Sequence, residues 1–280
     1  IKVYCAILGG VMVLNGVLIF FNVKERYYAG VAARQQQKVS LRESFYETLK
    51  CKPFRLMLLV GLSFTLGTSM LGSLGYYTTV YYVCGGNTVS GNNWNGVMGL
   101  AYMLCGFLGA PTLAWIGHRT GKRPAMFIAL VVAIAAFGGN WFWYNPSWPW
   151  LQLVGCGFGA FASSGFYMIS ASISADIMDY DELNTGKRRE GAFSACSSWI
   201  NKAGNALGYF AAGIVLKTIG LDASLSGPQS PPTLFWLRVM VVSLPIIGIT
   251  IGMLVLSRFK LTQEKMHGIR LELEARRGKV

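Results

Sequence analysis

The chain has 280 residues, of which 53% are hydrophobic and only 13% are charged. In soluble domains about a quarter of all residues are charged. Water is therefore not its main solvent, and the composition indicates a protein of the lipid bilayer. The formal net charge of +13 does not indicate a nucleic-acid-binding protein, because the Lys and Arg residues cluster in loops between apolar segments rather than on a face with exposed aromatic residues.

Apolar segments long enough to cross a bilayer as helices recur along the whole chain. About 20 mostly apolar residues are needed for each crossing. The segments of this kind cover residues 3–23, 56–83, 94–116, 125–144, 151–175, 192–216 and 234–256. The sequence therefore predicts an all-α membrane protein with seven transmembrane helices.

The connections between the predicted helices alternate between basic and uncharged ones. Most of the Lys and Arg residues lie in 24–55, 119–123, 187–189 and 258–279. The intervening connections, which contain neither residue type, are 84–93, 145–150 and 220–233. Because basic loops stay in the cytoplasm, this pattern predicts a multi-pass protein of the cell inner (plasma) membrane with residue 1 outside and the C-terminus inside.

A long hydrophilic segment separates the first predicted helix from the other six. Within it, Ser40 and Glu43 have the spacing of an N-cap and the third residue of a short helix. Since the chain starts inside an apolar segment and the number of helices is odd, we expect it to be part of a longer protein. The predicted parts are a transmembrane helix ending a missing N-terminal half (1–23), a central cytoplasmic loop (24–55), a C-terminal six-helix bundle (56–257) and a cytoplasmic tail (258–280). For the tail, a membrane-surface helix and a disordered end are both open.

Side chains for metal binding or catalysis do not form a recognisable pattern. The six Cys residues are scattered without C-x-x-C spacing, and the chain has only two His residues. We therefore expect no disulfide framework, no metal site and no cofactor. No H-E-x-x-H motif or phosphate-cradling loop is present either. The sequence predicts that the protein is not an enzyme, with a membrane-embedded sensor or enzyme as a remaining alternative.

Lys202 is the most informative residue of the predicted helices. It lies about 11 residues, or about 16 Å, inside the segment 192–216, near the middle of a bilayer. An ionisable group at that depth costs at least about 2.5 kcal/mol, so it should face the protein interior. Polar residues recur on the same helix at spacings of four, three and four, namely Ser194, Ser198, Asn201 and Asn205. Two interpretations stay open: one wall of a wet cavity, or a polar patch that holds two helices together.

A second polar stripe occurs in the preceding apolar segment. Its members, again spaced by four, three and four, are Ser163, Tyr167, Ser170 and Ser174. Tyr167 lies about nine residues before Asp176 and is therefore deep in the membrane. An aromatic ring that carries a hydroxyl suits the apolar face and the polar edge of a sugar. A packed tyrosine whose hydroxyl is bonded locally is an equally open interpretation.

Residues 176–190 are predicted to form a charged loop between two apolar helices. Its acidic residues come first and its basic residues precede the next helix. Asp176 and Asp179 share a helix face, but no third ligand is spaced to complete a metal site. We therefore predict a network of ion pairs that closes the cytoplasmic side, with a static solvated loop as the alternative. The candidate gate residues are Asp176, Asp179, Glu182, Arg188 and Glu190, together with Arg119, Lys122 and Arg123 of the basic turn at 117–124.

The order of residues in 175–191 resembles the loop between helices 10 and 11 of the glycoside-pentoside-hexuronide:cation symporters, a branch of the major facilitator superfamily. The matching residues are Ala175, Asp176, Ile177, Met178, Asp179, Tyr180, Glu182, Thr185, Gly186, Arg188, Glu190 and Gly191. The turn from Gly117 is similar to the loop between helices 8 and 9 of that superfamily, and Lys202 falls where the family has a lysine in helix 11. By this resemblance the chain corresponds to helices 6 to 12 of a twelve-helix fold.

The resemblance implies a secondary active transporter that moves a sugar or glycoside together with a cation, Na⁺, H⁺ or Li⁺, by alternating access. It implies sugar-binding roles for Tyr167, Ser198, Asn201 and Lys202, and a cation-coupling role for Lys202. Tyr167 and Ser198 stand where the best-known member has Trp and Thr, so the identity of the sugar stays open. The expected partners are the sugar, membrane lipid and the N-terminal half, which carries the family's main binding carboxylates. A related carrier for a non-sugar solute, such as a lipid or an organic anion, is the alternative.

Overall fold

A computed structural model describes residues 2–22, 41–187, 189–225 and 227–277, and this part of the chain is almost entirely helical. The helices are α1 (Lys2–Asn22), α2 (Leu41–Lys50), α3 (Lys52–Tyr77), α4 (Thr88–Thr120), α5 (Lys122–Trp143), α6 (Gln152–Thr185), α7 (Glu190–Thr218), α8 (Pro231–Ser257) and α9 (Gln263–Arg277). A π-helix, Thr78–Val83, continues α3, and a 3₁₀ turn, Pro149–Leu151, precedes α6. The predicted all-α class is confirmed for the described residues.

The chain divides into two compact units, Ile1–Leu41 and Arg42–Val280. The first unit contains α1, an apolar helix with two amide side chains. Asn15 donates a hydrogen bond to the carbonyl oxygen of Val11 at 3.0 Å, and Asn22 donates one to that of Leu18 at 2.9 Å. The helix itself therefore provides partners for these polar groups, as lipid surroundings require.

The second unit is a bundle built around α3 and α6. Helices α7 and α8 pack on α3, α4 and α5 pack on α6, and a contact between α5 and α8 joins the two groups. The rings of Phe64 in α3 and Phe166 in α6 are stacked with their centroids 3.9 Å apart at the centre of the main hydrophobic core. These two fully buried side chains connect the helices that carry the candidate site.

Glycine residues allow α7 and α8 to approach α3 closely. A Cβ atom at Gly208 of α7 would lie 2.7 Å from the Cβ of Ser69, and one at Gly67 of α3 would lie 3.1 Å from the Cα of Pro245. Real Cβ atoms essentially never show the first of these distances, and the second is tighter than nearly all real Cβ contacts. Small residues are the usual means by which helices pack in lipid, and here they set the distance between α3 and its two neighbours.

Six helices of the described chain are long and apolar enough to cross a membrane. They cover Cys5–Asn22, Lys52–Val83, Thr88–Thr120, Lys122–Trp143, Pro149–Thr185 and Pro231–Ser257. The remaining predicted span corresponds to α7, which with 29 residues is long enough but carries the polar stripe around Lys202. Its polar residues lower its hydropathy, so a seventh transmembrane helix stays a prediction.

The charged segment 176–190 differs from its predicted form. Most of it is not a loop, because α6 continues without a break to Thr185. The helix ends where Gly186 adopts a left-handed conformation, with φ 67°, and donates its N–H to the carbonyl of Glu182 at 2.8 Å. Acidic and polar residues lower hydropathy without lowering helix propensity much, so the end of the apolar stretch did not mark the end of the helix.

Helices also form in the predicted linker and in the tail. Helix α2 lies within the segment 24–55, while Ser40, its predicted N-cap, lies outside the described residues. In the tail, α9 packs against α6 and buries Met266 and Leu273. Of the two alternatives that the sequence left open for residues 258–280, the structure thus has a helix, and that helix is docked on the bundle.

Candidate functional site

The polar stripe of α7 faces α3 along one of its edges. Asn205 accepts a hydrogen bond of 2.6 Å from the hydroxyl of Ser69, and Asn201 accepts a longer one of 3.4 Å from Thr65. Each helix contributes two residues one turn apart, so the pairs form matching rungs between α3 and α7. These two asparagines therefore hold the helices together, as one of the two interpretations of the stripe proposed.

Lys202 and Ser198 lie on the exposed side of the same stripe. Both residues are exposed, and Lys202 has no hydrogen bond or ion pair with any other residue in the described parts of the chain. The nearest part of the bundle, α3, contributes no carboxylate to this region. This face of α7 thus presents a positive charge that the described residues do not neutralise.

A cavity of about 220 Å³ lies between α3, α6 and α7. Tyr167 and Asn201 line it, whereas Ser198 and Lys202 do not. The further polar residues of its wall are Ser170, Ser174 and Ser197. Two of the four residues predicted to bind the substrate therefore meet in one cavity, and the hydroxyl stripe of α6 supplies part of its wall.

Tyr167 enters this cavity with an exposed ring. Its ring packs edge-on against Phe64 at 5.8 Å and Phe166 at 5.6 Å between centroids, and about half of the residue is exposed, at 47%. The described residues offer no hydrogen-bond partner to its hydroxyl. The interpretation as a packed tyrosine with a locally bonded hydroxyl does not fit this geometry, and an aromatic platform at the cavity does.

Ion pairs gather at one end of the bundle, where α3, α5 and α7 begin; we call it the charged end. Asp176 of α6 is nearly buried, with 6% exposure. Its two oxygens accept hydrogen bonds from Lys122 at the start of α5, at 2.6 Å, and from Arg270 of α9, at 2.7 Å. Such charge-assisted bonds are the strongest kind. Asp176 therefore ties three helices together, and Asp179 adds a weaker contact of 3.9 Å to Arg270.

A second cluster at the charged end is centred on Arg189, which lies just before α7. Its guanidinium donates hydrogen bonds of 2.8 Å to both carboxylate oxygens of Asp181 in α6. It donates another, also of 2.8 Å, to one carboxylate oxygen of Glu47 in α2. Cys51 lies close by at the start of α3. Burial is the main cause that raises the pKa of its thiol, and the carboxylate of Asp181 raises that pKa further. The cluster joins α2, α6 and the connection to α7.

The remaining residues predicted for the gate have other surroundings. The guanidinium of Arg119 lies 4.2 Å above the ring of Trp115, a cation–π contact. Arg123 donates to the carbonyl oxygen of Ser257 at 2.7 Å. Glu182 lies in the last turn of α6 and Glu190 at the first position of α7, and Arg188 is outside the described residues. Of the predicted set, Asp176 and Lys122 form a direct ion pair with each other.

Comparison with known protein families identifies the fold. A family model described as MFS/sugar transport protein matches residues 3–263, which is most of the chain. The chain belongs to this family. It is therefore a multi-pass membrane protein of a transport family rather than of an enzyme family, as the sequence predicted.

Curated relatives match the chain over different lengths. An uncharacterized symporter of Synechocystis is 33% identical over 55% of the chain and 29% of its own length. A putative 2,3-dihydroxypropane-1-sulfonate exporter of Salmonella typhimurium is 27% identical over 94% of the chain and 55% of its own length. An isoprimeverose transporter of Lactiplantibacillus pentosus is 24% identical over 87% of the chain and 48% of its own length. The chain spans about half the length, or less, of the curated relatives it matches.

Sequence patterns alone missed several residues of the charged end. Glu47, Asp181, Arg189 and Arg270 all take part in its ion pairs. Arg189 and Asp181 were visible as members of a basic run and an acidic run, but nothing in the sequence singled out the members that meet. Among the described residues, no three His, Cys, Asp or Glu side chains lie together as a metal site would require.

Proposed function

We propose that the chain is the second half of a cation-coupled symporter for a sugar or glycoside, working by alternating access between two six-helix halves. Membership of the sugar transport family and the similarity to an isoprimeverose transporter support a sugar as the substrate. The ratio of matched lengths supports the assignment to one half of a longer carrier. The observation that carries the proposal is the exposed charge of Lys202 on a polar stripe, next in sequence to the cavity-lining Asn201.

The proposed mechanism follows from the open charge of Lys202. An exposed lysine at membrane depth is stable only beside water or an acidic partner. In the absence of the coupling cation, Na⁺ or H⁺, Lys202 pairs with carboxylates of the other half. Entry of the cation neutralises those carboxylates and frees the lysine. Tyr167 then stacks on the apolar face of the sugar, and Asn201 and Ser198 hydrogen-bond its hydroxyls.

The charged end completes the proposal as the cytoplasmic gate of the carrier. Its two clusters join the ends of helices that move when the halves rock, so their ion pairs close this side and break when it opens. The basic connections at this end support a cytoplasmic C-terminus in the inner membrane. In this arrangement α7 crosses the membrane as the eleventh helix of a glycoside-pentoside-hexuronide symporter, with its polar stripe turned to the central path.

Uptake measurements test the proposal directly. Cells that express the complete coding sequence are given a panel of radiolabelled sugars and glycosides, with Na⁺ or a proton gradient present or absent. We expect at least one sugar to accumulate, and its accumulation to need one of the cations. Lys217→Ala serves as a control that keeps full uptake. It removes an exposed lysine in the last turn of α7, the helix that carries Lys202. Accumulation that is independent of every cation would contradict the coupling.

A carrier for an organic anion is the second candidate. The same observation favours it, because a lysine without an acidic partner in the described chain is also suited to an anionic solute. The similarity to a putative 2,3-dihydroxypropane-1-sulfonate exporter supports this candidate. Competition separates the two: excess of a neutral sugar abolishes uptake by a sugar carrier, whereas only sulfonates or carboxylates do so for an anion carrier.

A further inference from the structure

The charged end contains a cavity, which we call the basic cavity, outside the two ion-pair clusters described above. It has a volume of about 490 Å³ and lies between the start of α3, the end of α8 and α9. Four cationic residues line it, namely Lys52, Arg258, Lys260 and Lys265. Glu272 is the one acidic residue among its described lining residues. The wall therefore carries an excess of positive charge.

The four cations of this cavity are free of partners within the described chain. None of their side chains forms an ion pair or a hydrogen bond with another described residue. The neighbouring cavity beside Asp176 is different, because its Lys122 and Arg270 are both bound to that aspartate. The cations of that cavity are thus bound within the chain, since its Arg123 donates to the carbonyl oxygen of Ser257. The cations of the basic cavity are open to an external anion. In addition, α3 begins at Lys52, so the positive end of its helix dipole also favours an anion there.

An apolar surface leads away from this basic cavity along α8. Ile247, Ile251 and Leu254 lie at helical spacing before Arg258 and are 54%, 49% and 65% exposed. On α3, Leu56 lines the cavity and Leu59, one turn further, is 49% exposed. Both helices are long and apolar enough to cross a membrane. A ligand with an anionic group at one end and long apolar chains at the other matches charge and apolar surface together.

We propose that this cavity binds the headgroup of an anionic phospholipid, with the phosphate among the four cations and the acyl chains along α8 and α3. A free phosphate would use the cations but leave the apolar stripe without a role, which is why the structure favours the lipid. Basic pockets at the cytoplasmic ends of membrane helices suit such headgroups. The lipid would link α9 to α3 and α8 and would stabilise the docked position of α9.

Native mass spectrometry of the purified chain in detergent tests this proposal with three probes: phosphatidylglycerol, phosphatidylcholine and glycerol phosphate. We expect phosphatidylglycerol to bind most tightly. The variant Lys52→Gln/Lys260→Gln/Lys265→Gln should lose about a hundredfold in affinity for it, since each lysine near an anionic lipid contributes about fivefold. A matched variant, Lys50→Gln/Lys187→Gln/Lys217→Gln, removes three exposed lysines outside the cavity and should retain the wild-type affinity.

The single variant Lys260→Gln keeps the test valid if the triple variant does not fold. Lys260 lies in the connection between α8 and α9, so its replacement leaves both helices intact, and we expect a loss of about fivefold. Equal loss in the cavity variant and the matched variant would overturn the proposal. Binding of phosphatidylcholine as tight as that of phosphatidylglycerol would also overturn it, and so would full displacement of the lipid by glycerol phosphate.

Discussion

Two regions of the molecule differ in whether their positive charges have acidic partners. At the charged end, Arg189 and Lys122 each meet an aspartate of α6 within hydrogen-bond distance. On α7, by contrast, Lys202 meets no acidic side chain in the described chain. Leaving an ionised group without water or a counter-charge is costly in lipid. The comparison teaches that the cations of the two ion-pair clusters find their partners within this chain, whereas Lys202 does so only with the other half that the proposed function supplies.

Lys202→Ala gives the largest expected effect, because it removes the open charge on which the proposed coupling depends. We expect cation-stimulated uptake to fall at least about thirtyfold, which corresponds to roughly 2 kcal/mol for a functional charge pair. The amount of folded protein in the membrane should not change, since Lys202 has no described partner to lose. Uptake with and without the cation, normalised to protein level, measures this. Normal cation coupling in this variant would contradict the proposed role of Lys202.

Arg189→Gln tests the opposite behaviour at the charged end. It leaves Asp181, which is 5% exposed, without its cation, so we expect the free energy of unfolding to fall by about 2–4 kcal/mol. Thermal unfolding followed by tryptophan fluorescence in detergent checks this. Adding Asp181→Asn in a double variant should restore part of the loss. A double variant less stable than the single one would show that the two side chains do not act as a pair.

Asp176→Asn should have a smaller effect, although it breaks two ion pairs. Lys122 and Arg270 are 34% and 52% exposed at their side chains, so water replaces much of what they lose. We expect a decrease in the free energy of unfolding of about 1–2 kcal/mol, together with faster proteolysis between α8 and α9. Asp179→Asn is the matched control and should change either quantity little. Equal proteolysis of both variants would mean that Asp176 does not hold α9.

Asn205→Ala gives the smallest expected effect and sharpens the comparison within α7 itself. It removes the hydrogen bond from Ser69 and should cost about 1 kcal/mol of stability, with coupling left intact. Ser194→Ala, on the exposed part of the same stripe, should cost less. Thermal unfolding and uptake of both variants measure the two properties separately. If Asn205→Ala lost its cation coupling at unchanged stability, the division of the stripe into a packing edge and a functional edge would be wrong.

The helices themselves were largely predictable, because hydropathy directly reflects the solvent around them. The apolar stretch 125–144 corresponds closely to α5, and 234–256 to α8. The prediction ended α6 too early, at residue 175, since the hydropathy pattern stops at the acids while the helix continues to Thr185. A signal for the true end was present in Gly186, which is typical of a helix C-terminus.

The pairing of side chains was much less predictable than the helices. Asp176 and Lys122 are 54 positions apart in the chain, and Arg270 belongs to a tail whose mixed sequence left two alternatives open. Which acid meets which base depends on the rotation and depth of each packed helix, and no local pattern in one sequence encodes these. Tyr167 and Asn201 were found because deep polar residues are rare in membrane helices. Ser197, which also lines the cavity, lies off the predicted stripe.

The accessibility of the Lys202 face to water tests the central claim most directly. Single cysteines are introduced by Ser198→Cys, on the polar stripe, and by Leu207→Cys, an exposed apolar position of the same helix, in a background without the native cysteines. A charged, membrane-impermeant thiol reagent is then applied with and without the transported solute. The account predicts that Ser198→Cys reacts, that the solute slows this reaction, and that Leu207→Cys stays unmodified. Reaction at Leu207→Cys alone, or no effect of the solute at Ser198→Cys, would contradict it.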